Sequence, residues 1–481
     1  MPLLHGIVTD ELTDKPVAAK IHALDSRGQP AFPANAIQKV GSGIAGFYTA
    51  GEFTLDVTVG VTTLQVERGT EYVPLERTVR VDFGAAPEVR LELQRWTDLP
   101  AHGWYPGNTH VHYDQNETRP DDRLRLDPSV HDLRVTIVSV VQRGDIPYAI
   151  NKYPVGFLNE FSTAHHVVDC GEENRHNREP WEIGYGHVLL LDLKEAVYPI
   201  SRGLLAREGD PDYPPLCYAC DGARSQGGVA IWCHNGIGME APVAAALGKL
   251  DAFNLFDPCW SAPEYEIWYH MLNCGLELPA STGSDWFISS NNRVYVQLEG
   301  DFSYPAWLKG LQAGRTFITN GPALFLKVNS RPPGAQMDIR LGDSVECEIL
   351  WRSHFPIERV ELVAQGQIAA ARNIAEGSKE GEWRIPYPVK SDGWLAARLF
   401  SMQRDSFSQP IFAHTSPVWI RAGRLSRERA ISARYFVDAL NRACDWVQTA
   451  GRYSNDRQRT EVLNLMREGH GVFVTMASQI P

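Results

Sequence analysis

Two histidines separated by one valine, His110-Val111-His112, are the residues whose type and spacing point most directly to chemistry. On an extended strand side chains alternate faces, so both imidazoles point one way and Val111 the other. Further groups of ligand type follow, each beside Gly or Ser at the border of an apolar run. Cys170-Gly171-Glu172-Glu173-Asn174-Arg175 comes after Val167-Val168, and Gly186-His187 opens Val188-Leu189-Leu190-Leu191. His234-Asn235 closes Ala230-Ile231-Trp232-Cys233, and Gly283-Ser284-Asp285-Trp286 follows Leu278-Pro279-Ala280. Imidazole and carboxylate together suit Zn²⁺, Mn²⁺ or Fe²⁺, and a carboxylate can bridge two ions. Such a site yields hydroxide near neutral pH and polarises a carbonyl or phosphoryl oxygen. One strand-end histidine is ordinarily a satisfied core residue, but three such positions with two carboxylates point to metal. The chain has no Gly-x-Ser-x-Gly elbow, which disfavours a serine hydrolase.

The elements that must position these groups divide the 481 residues into more than one core. Residues 1–96 alternate with period two, as in Phe53, Leu55, Val57 and Val59, and predict a small β-sandwich. The opening Gly6-Ile7-Val8-Thr9-Asp10 with Lys15-Pro16-Val17 resembles the carboxypeptidase-regulatory-like fold. Residues 97–322 carry continuous apolar strands (135–141, 187–191, 228–232) between longer segments of helical texture. That pattern predicts a parallel sheet or an α/β barrel with chemistry at the carboxyl ends of its strands. Residues 323–421 return to β texture and predict a second sandwich, and 422–481 predict helix. In that last segment Ile431, Tyr435, Leu440, Cys444 and Val447 recur near 3.6 residues, with Gly451 and Gly469 as terminators. The fold class is therefore multidomain, α/β plus β.

The order His-x-His, Gly-x-Glu, Gly-His, a strand ending in His, then Gly-Ser-Asp resembles the PHP (polymerase and histidinol phosphatase) superfamily. Within it the chain is most similar to the CehA/McbA-type, carbaryl-hydrolase-like metallohydrolases. Gly314-Arg315-Thr316-Phe317-Ile318-Thr319-Asn320-Gly321-Pro322 resembles the signature that closes their catalytic domain. The resemblance spans about residues 102–333. It implies a distorted (β/α)₇-like barrel flanked by N- and C-terminal sandwiches, with metal at the strand ends. It implies that His110 and His112 hold a first ion with Asp285, that Glu173 (preferred over Glu172) bridges or completes the site, and that His187 and His234 serve a second ion. Where the family carries Thr-Asp-His this chain reads Gln142-Arg143-Gly144-Asp145, and Ser-Asp-x-His reads Ser284-Asp285-Trp286-Phe287. With two nitrogen ligands absent, one or two ions are expected, Zn or Mn first and Fe third.

Arg175, His234 and Asp285 are the candidate catalytic groups, Arg175 because a guanidinium offers a fixed fork of donors to developing charge. Arg143, Asp145, His176, Trp232, Asn235 and Trp286 are candidate substrate contacts, the tryptophans as an aromatic wall. His131 and His270 read as structural, His165 and His166 as loop residues, and His5 and His22 as surface or packing residues. Cys217 and Cys220 lack a second pair at zinc-finger spacing and read as buried thiols. A net charge of −12 argues against nucleic acid or anionic membrane as the main partner, and a small-molecule substrate is expected. No apolar run reaches the ~18 residues of a spanning helix, and no signal peptide is recognisable, so a cytoplasmic location is expected. The expected activity is hydrolysis of a small ester, carbamate or amide. A phosphoesterase with the same metal site, or a catalytically inactive metal-containing binding protein, is the alternative. Homo-oligomerisation is left open.

Overall fold

The structure, a computed structural model, describes residues 2–38, 44–113, 119–142, 152–178, 182–234, 238–256, 264–285 and 290–479. It is mixed α/β, with seven α-helices among the described residues. None of them is long and apolar enough to cross a membrane.

Near the N-terminus, alternation builds two small sheets around one core. Glu88–Leu93 exposes Glu88, Arg90 and Glu92 and buries Val89, Leu91 and Leu93. It runs parallel to Leu3–Asp10, which also pairs antiparallel with Glu52–Asp56. Leu4, Val8, Ile21, Phe47, Leu55 and Val66 fill the space between this sheet and a second one.

Among the described residues, the candidate site residues lie on or just beyond the strands of one curled sheet. Trp104–Val111 and Val135–Val140 run parallel, as do Val135–Val140 and Val167–Arg178. Val229–Trp232, Ala252–Asn254 and Ala280–Ser281 are likewise parallel. Between the two groups Glu182–Leu191 runs antiparallel to both Val167–Arg178 and Val229–Trp232. The sheet is thus mixed, not the all-parallel sheet expected. A parallel return needs a crossover of a dozen or more residues, and only three separate Arg178 from Glu182. The far end of the sheet returns to its start through a parallel bridge between Val111 and Asp285.

Thr316–Thr319 pairs with Arg293–Gln297 and with Pro410–Thr415, carrying the sheet into the second β unit. The Asn320 side chain fixes this junction. Its Oδ1 accepts from Phe412 N at 2.9 Å and its Nδ2 donates to the Pro410 carbonyl at 2.9 Å. Beyond it, Leu324, Leu326, Val345, Cys347, Leu362, Leu395 and Leu399 make one core between two sheets.

The last two helices, Arg427–Thr449 and Asp456–Ser478, pack Phe436, Leu440, Val447, Val462, Met466 and Phe473 into the core beneath the curled sheet. Two expectations are corrected here. Ile431 and Tyr435 are exposed, because Ala430, Ala433 and Ala443 join Phe436, Leu440 and Val447 on the buried face. Gly469 does not end a helix but sits inside one. A Cβ there would lie 3.0 Å from Val243 Cα, so glycine permits close approach to the helix Ala241–Ala246.

Candidate metal centre

His110 is the penultimate residue of the strand Trp104–Val111 and His112 follows it, both on one side, with Val111 turned into an apolar cluster. The backbone of the Asp285 segment is laced to this strand, since the amides of Ser284 and Asp285 both donate to the His110 carbonyl (2.7 and 2.9 Å). Gly283 is required there, because a Cβ would fall 2.6 Å from His110 N. Asn108 ties the two segments further. Its Oδ1 accepts from His110 N (3.1 Å) and Ser284 N (3.2 Å), and its Nδ2 donates to Ser284 Oγ (2.7 Å). Asp285 then takes φ +55°, a left-handed conformation costly for a non-glycine residue and characteristic of functional sites.

Glu173 and His187 come from the hairpin Val167–Arg178/Glu182–Leu191, where Glu173 faces Leu189 and Arg175 faces His187. Both ligand-type residues therefore lie mid-strand, not at the strand ends expected for them. Polar Glu173-Asn174-Arg175 continues a ladder that its apolar neighbours begin. Alternation sends Glu172 to the opposite face, where it accepts from Val197 N (2.6 Å) and Asn174 Nδ2 (3.2 Å). Burial pushes its carboxyl up to about 7. His176 shares that far face, bonded through Nε2 to Asp212 Oδ1 (2.8 Å) and stacked on Tyr185. Its expected role as a substrate contact is corrected, because the side chain is fully buried away from Glu173 and Arg175.

His234 follows Val229–Trp232 with φ +56°. Its Nε2 lies 3.1 Å from Glu173 Oε1 and its Nδ1 3.9 Å from Asp285 Oδ2. His187 Nδ1 approaches the same Glu173 Oε1 at 2.9 Å. On the other carboxylate oxygen, Oε2, converge His112 Nε2 (3.2 Å), His110 Nε2 (3.7 Å) and Arg175 Nε (3.5 Å). Asp285 Oδ1 stands 3.2 Å from His112 Nε2 and 3.5 Å from His110 Nε2, and the two Nε2 atoms are 3.1 Å apart.

This donor set could hold a metal ion. His110, His112, Glu173 and Asp285 are all buried, and each offers a ligand atom within 4.8 Å of the others. Bonds of about 2.0–2.1 Å to a tetrahedral ion place ligand atoms about 3.3 Å apart, and the measured separations bracket that value. The Nδ1–H of His112 donates to the Ser139 carbonyl (2.7 Å), which aims the Nε2 lone pair into the cluster.

Charge in the cluster is balanced without an ion by protons. Burial pushes His112 down, but its hydrogen bonds to Asp285 and Glu173 carry it up to about 9. Burial pushes Asp285 up, and the His110 charge and the His112 hydrogen bond bring it down to about 2. Glu173 is likewise driven up by burial, yet Arg175 and His187 hold it well below the usual carboxylate range. His187 is pushed down to about 3 by burial and then by the Arg175 charge, and so stays a neutral nitrogen donor. Metal entry must expel the His112 proton. Zinc binding to the apo-protein near neutral pH is therefore expected to release about one proton per ion, with affinity rising roughly tenfold per pH unit until about pH 9. Calorimetry in buffers of different ionisation enthalpy measures this, and heats independent of buffer would contradict it.

Of the remaining candidates, Arg143, Asp145, Asn235 and Trp286 lie outside the described residues, as do Trp260 and Phe287. Trp232 is fully buried in the main core, a packing residue and no aromatic wall. His165 is exposed, and His166 is tied to the Phe161 carbonyl at 3.0 Å. His131 is buried 3.5 Å from Asp127, and His270 bonds Ser432 Oγ at 2.9 Å. Cys217 and Cys220 are buried free thiols on the helix Leu216–Ser225. Sequence reasoning passed over Asn108 and Ser139, which orient ligands. It also passed over Asn177, whose Oδ1 takes His187 Nε2 at 2.8 Å. Only Asn108, two residues before His110 and hence on its face, left a readable signal. No family model matches this chain, and no curated protein does either.

Proposed function

We propose that the protein is a metal-dependent hydrolase of a small ester, carbamate or amide. In this reading the curled sheet is a distorted PHP-like barrel between two β-sandwiches, as the resemblance to CehA/McbA-type enzymes implies. The observation that carries it is the convergence of His110, His112, Glu173 and Asp285 at ligand spacing in a buried site. A divalent ion there would supply hydroxide near neutral pH and Lewis acidity toward a carbonyl oxygen. The chain's own groups do the rest. His110 and His112 would present their Nε2 atoms, the Ser139 carbonyl orients the His112 ring, Asn108 holds the backbone at His110, and Arg175 offers donors to charge developing on oxygen. His234, between Glu173 and Asp285, is placed to hold or pass a proton.

Charge supports a neutral substrate. One divalent ion (+2) with Arg175 (+1), Glu173 (−1) and Asp285 (−1) sums to +1, which hydroxide cancels. A second ion that brought no anionic ligand of its own would leave an excess that favours a phosphoester, the alternative reading. Elemental analysis of the wild type, His110→Ala and Asp285→Ala tests the proposal. About one or two equivalents of metal in the wild type, lost in both variants, are expected. A panel of aryl esters, carbamates and phosphodiesters then separates the two readings, and retained metal with no turnover leaves a binding protein. A wild type that stays metal-free after growth with zinc and manganese overturns the reading.

A further inference from the structure

Cys233 reads in the sequence as a small buried thiol, but the fold places it beside the cluster. Glu173, Cys233 and His234 offer ligand atoms that all lie within 4.8 Å of one another, and all three are buried. The geometry has two causes. Cys233 N donates to the His187 carbonyl (3.1 Å), which makes Cys233 the cross-strand neighbour of His187 on the hairpin. Neighbours across a ladder share a face, and His187 faces Glu173. Adjacent residues on a strand would point apart, yet the left-handed φ of +56° at His234 breaks the alternation after Cys233. Both side chains can thus turn to the same point.

A second observation asks for a cation at that point. His187 Nε2 is committed to Asn177 Oδ1 at 2.8 Å, an acceptor, so the ring proton sits on Nε2 and the lone pair on Nδ1. That Nδ1 is buried, makes no hydrogen bond, and faces Glu173 Oε1 at 2.9 Å. Two lone-pair bearers at this distance in a dry interior repel unless a positive centre lies between them.

We propose that Cys233 is a thiolate ligand of a second ion, held with His187 Nδ1 and His234 Nε2 and bridged by Glu173 to the ion at His110, His112 and Asp285. Binding breaks the S–H bond, releases the proton to solvent and forms the metal–sulfur bond, with no change of oxidation state. A two-nitrogen, one-sulfur, one-oxygen set is soft enough to prefer Zn²⁺ over Mn²⁺. This inference rests on the metal reading above.

Titration of the apo-protein with Co²⁺ tests it, because only sulfur ligation adds an intense near-ultraviolet charge-transfer band to the visible d–d bands. The expected result is that the band grows in the wild type, persists in a Cys217→Ala/Cys220→Ala variant, and is lost in Cys233→Ser while d–d absorption remains. Should Cys233→Ser fail to fold, His234→Ala, which keeps the thiol but opens its site, is expected to diminish the band. Visible bands without the sulfur band in the wild type overturn the thiolate and leave the first ion intact. A protein that takes up no Co²⁺ overturns both.

Discussion

Glu173→Gln is expected to lose metal affinity by more than the roughly 10–100-fold that removal of an outer-shell partner costs, while Glu172→Gln leaves it unchanged. The substitution keeps the shape and exchanges one carboxylate oxygen for an uncharged amide nitrogen, so the contrast isolates what the carboxylate does. Glu173 Oε1 stands 2.9 Å from His187 and 3.1 Å from His234, and Oε2 stands 3.2 Å from His112. Glu173 thus reaches both halves of the cluster, and closer than Asp285, whose approach to His234 is 3.9 Å. An amide in its place presents one oxygen and one N–H pair, and the N–H face repels any cation that replaces the carboxylate's partner. Glu172, one residue earlier, spends both oxygens on Val197 N and Asn174 Nδ2 behind the sheet. Competition with a chromophoric zinc chelator measures both variants. Wild-type affinity in Glu173→Gln, or loss in Glu172→Gln instead, would sink the assignment.

The same pair shows how far the sequence could be read. His110 and His112 were legible because period-two alternation is local and needs no knowledge of partners. Choosing between Glu172 and Glu173 requires the register of the hairpin, Arg175 opposite His187, which is set by long-range pairing. His176 was misplaced for the same reason, since a histidine three residues from Glu173 on a strand must face away from it. The antiparallel course of Glu182–Leu191 was hidden because its start, Glu182-Ile183-Gly184-Tyr185-Gly186, is broken by two glycines and reads as loop. Cys233 was invisible because only the left-handed turn at His234 cancels the alternation that would separate them. At the C-terminus the helical period was clear and Leu440 and Val447 are buried, but Ile431 and Tyr435 lie on the opposite side of the helix, since nine residues from Ile431 to Leu440 amount to about half a turn at ~100° per residue. The β texture of the two ends, by contrast, follows from alternation alone, as Glu88–Leu93 demonstrates.

Lys20→Met is expected to destabilise the protein by about 3–5 kcal/mol at pH 8, and by much less in acid. Lys20 lies across the ladder from Glu67, with Nζ 2.7 Å from Glu67 Oε2, 3.1 Å from Ser406 Oγ and 4.5 Å from the Phe407 ring centroid. Ser406 Oγ in turn donates to Glu67 Oε2 at 2.8 Å, so this ion pair joins the N-terminal unit to the turn after Gly393–Arg404. Methionine keeps the stem and removes the charge, leaving a carboxylate buried with its counter-ion gone. Burial alone would raise Glu67, and the Lys20 charge holds it well below its ordinary value of 4.5. A depressed carboxylate contributes stability that is present above the ordinary value and lost as pH falls through the folded one. In the variant only His22, 3.9 Å away, and the Ser406 hydroxyl still oppose burial, and the folded value is expected to rise above the ordinary one. Stability then falls as pH climbs, because the folded state binds the proton more tightly than the unfolded one. The gap between wild type and variant therefore widens from pH 5 to pH 8, and urea unfolding at both values measures it. A cost equal at the two pH values would mean that lost packing, not the unpaired charge, dominates. Replacing both partners, Lys20→Met with Glu67→Leu, is expected to recover most of the loss at pH 8, since no charge then remains to be desolvated.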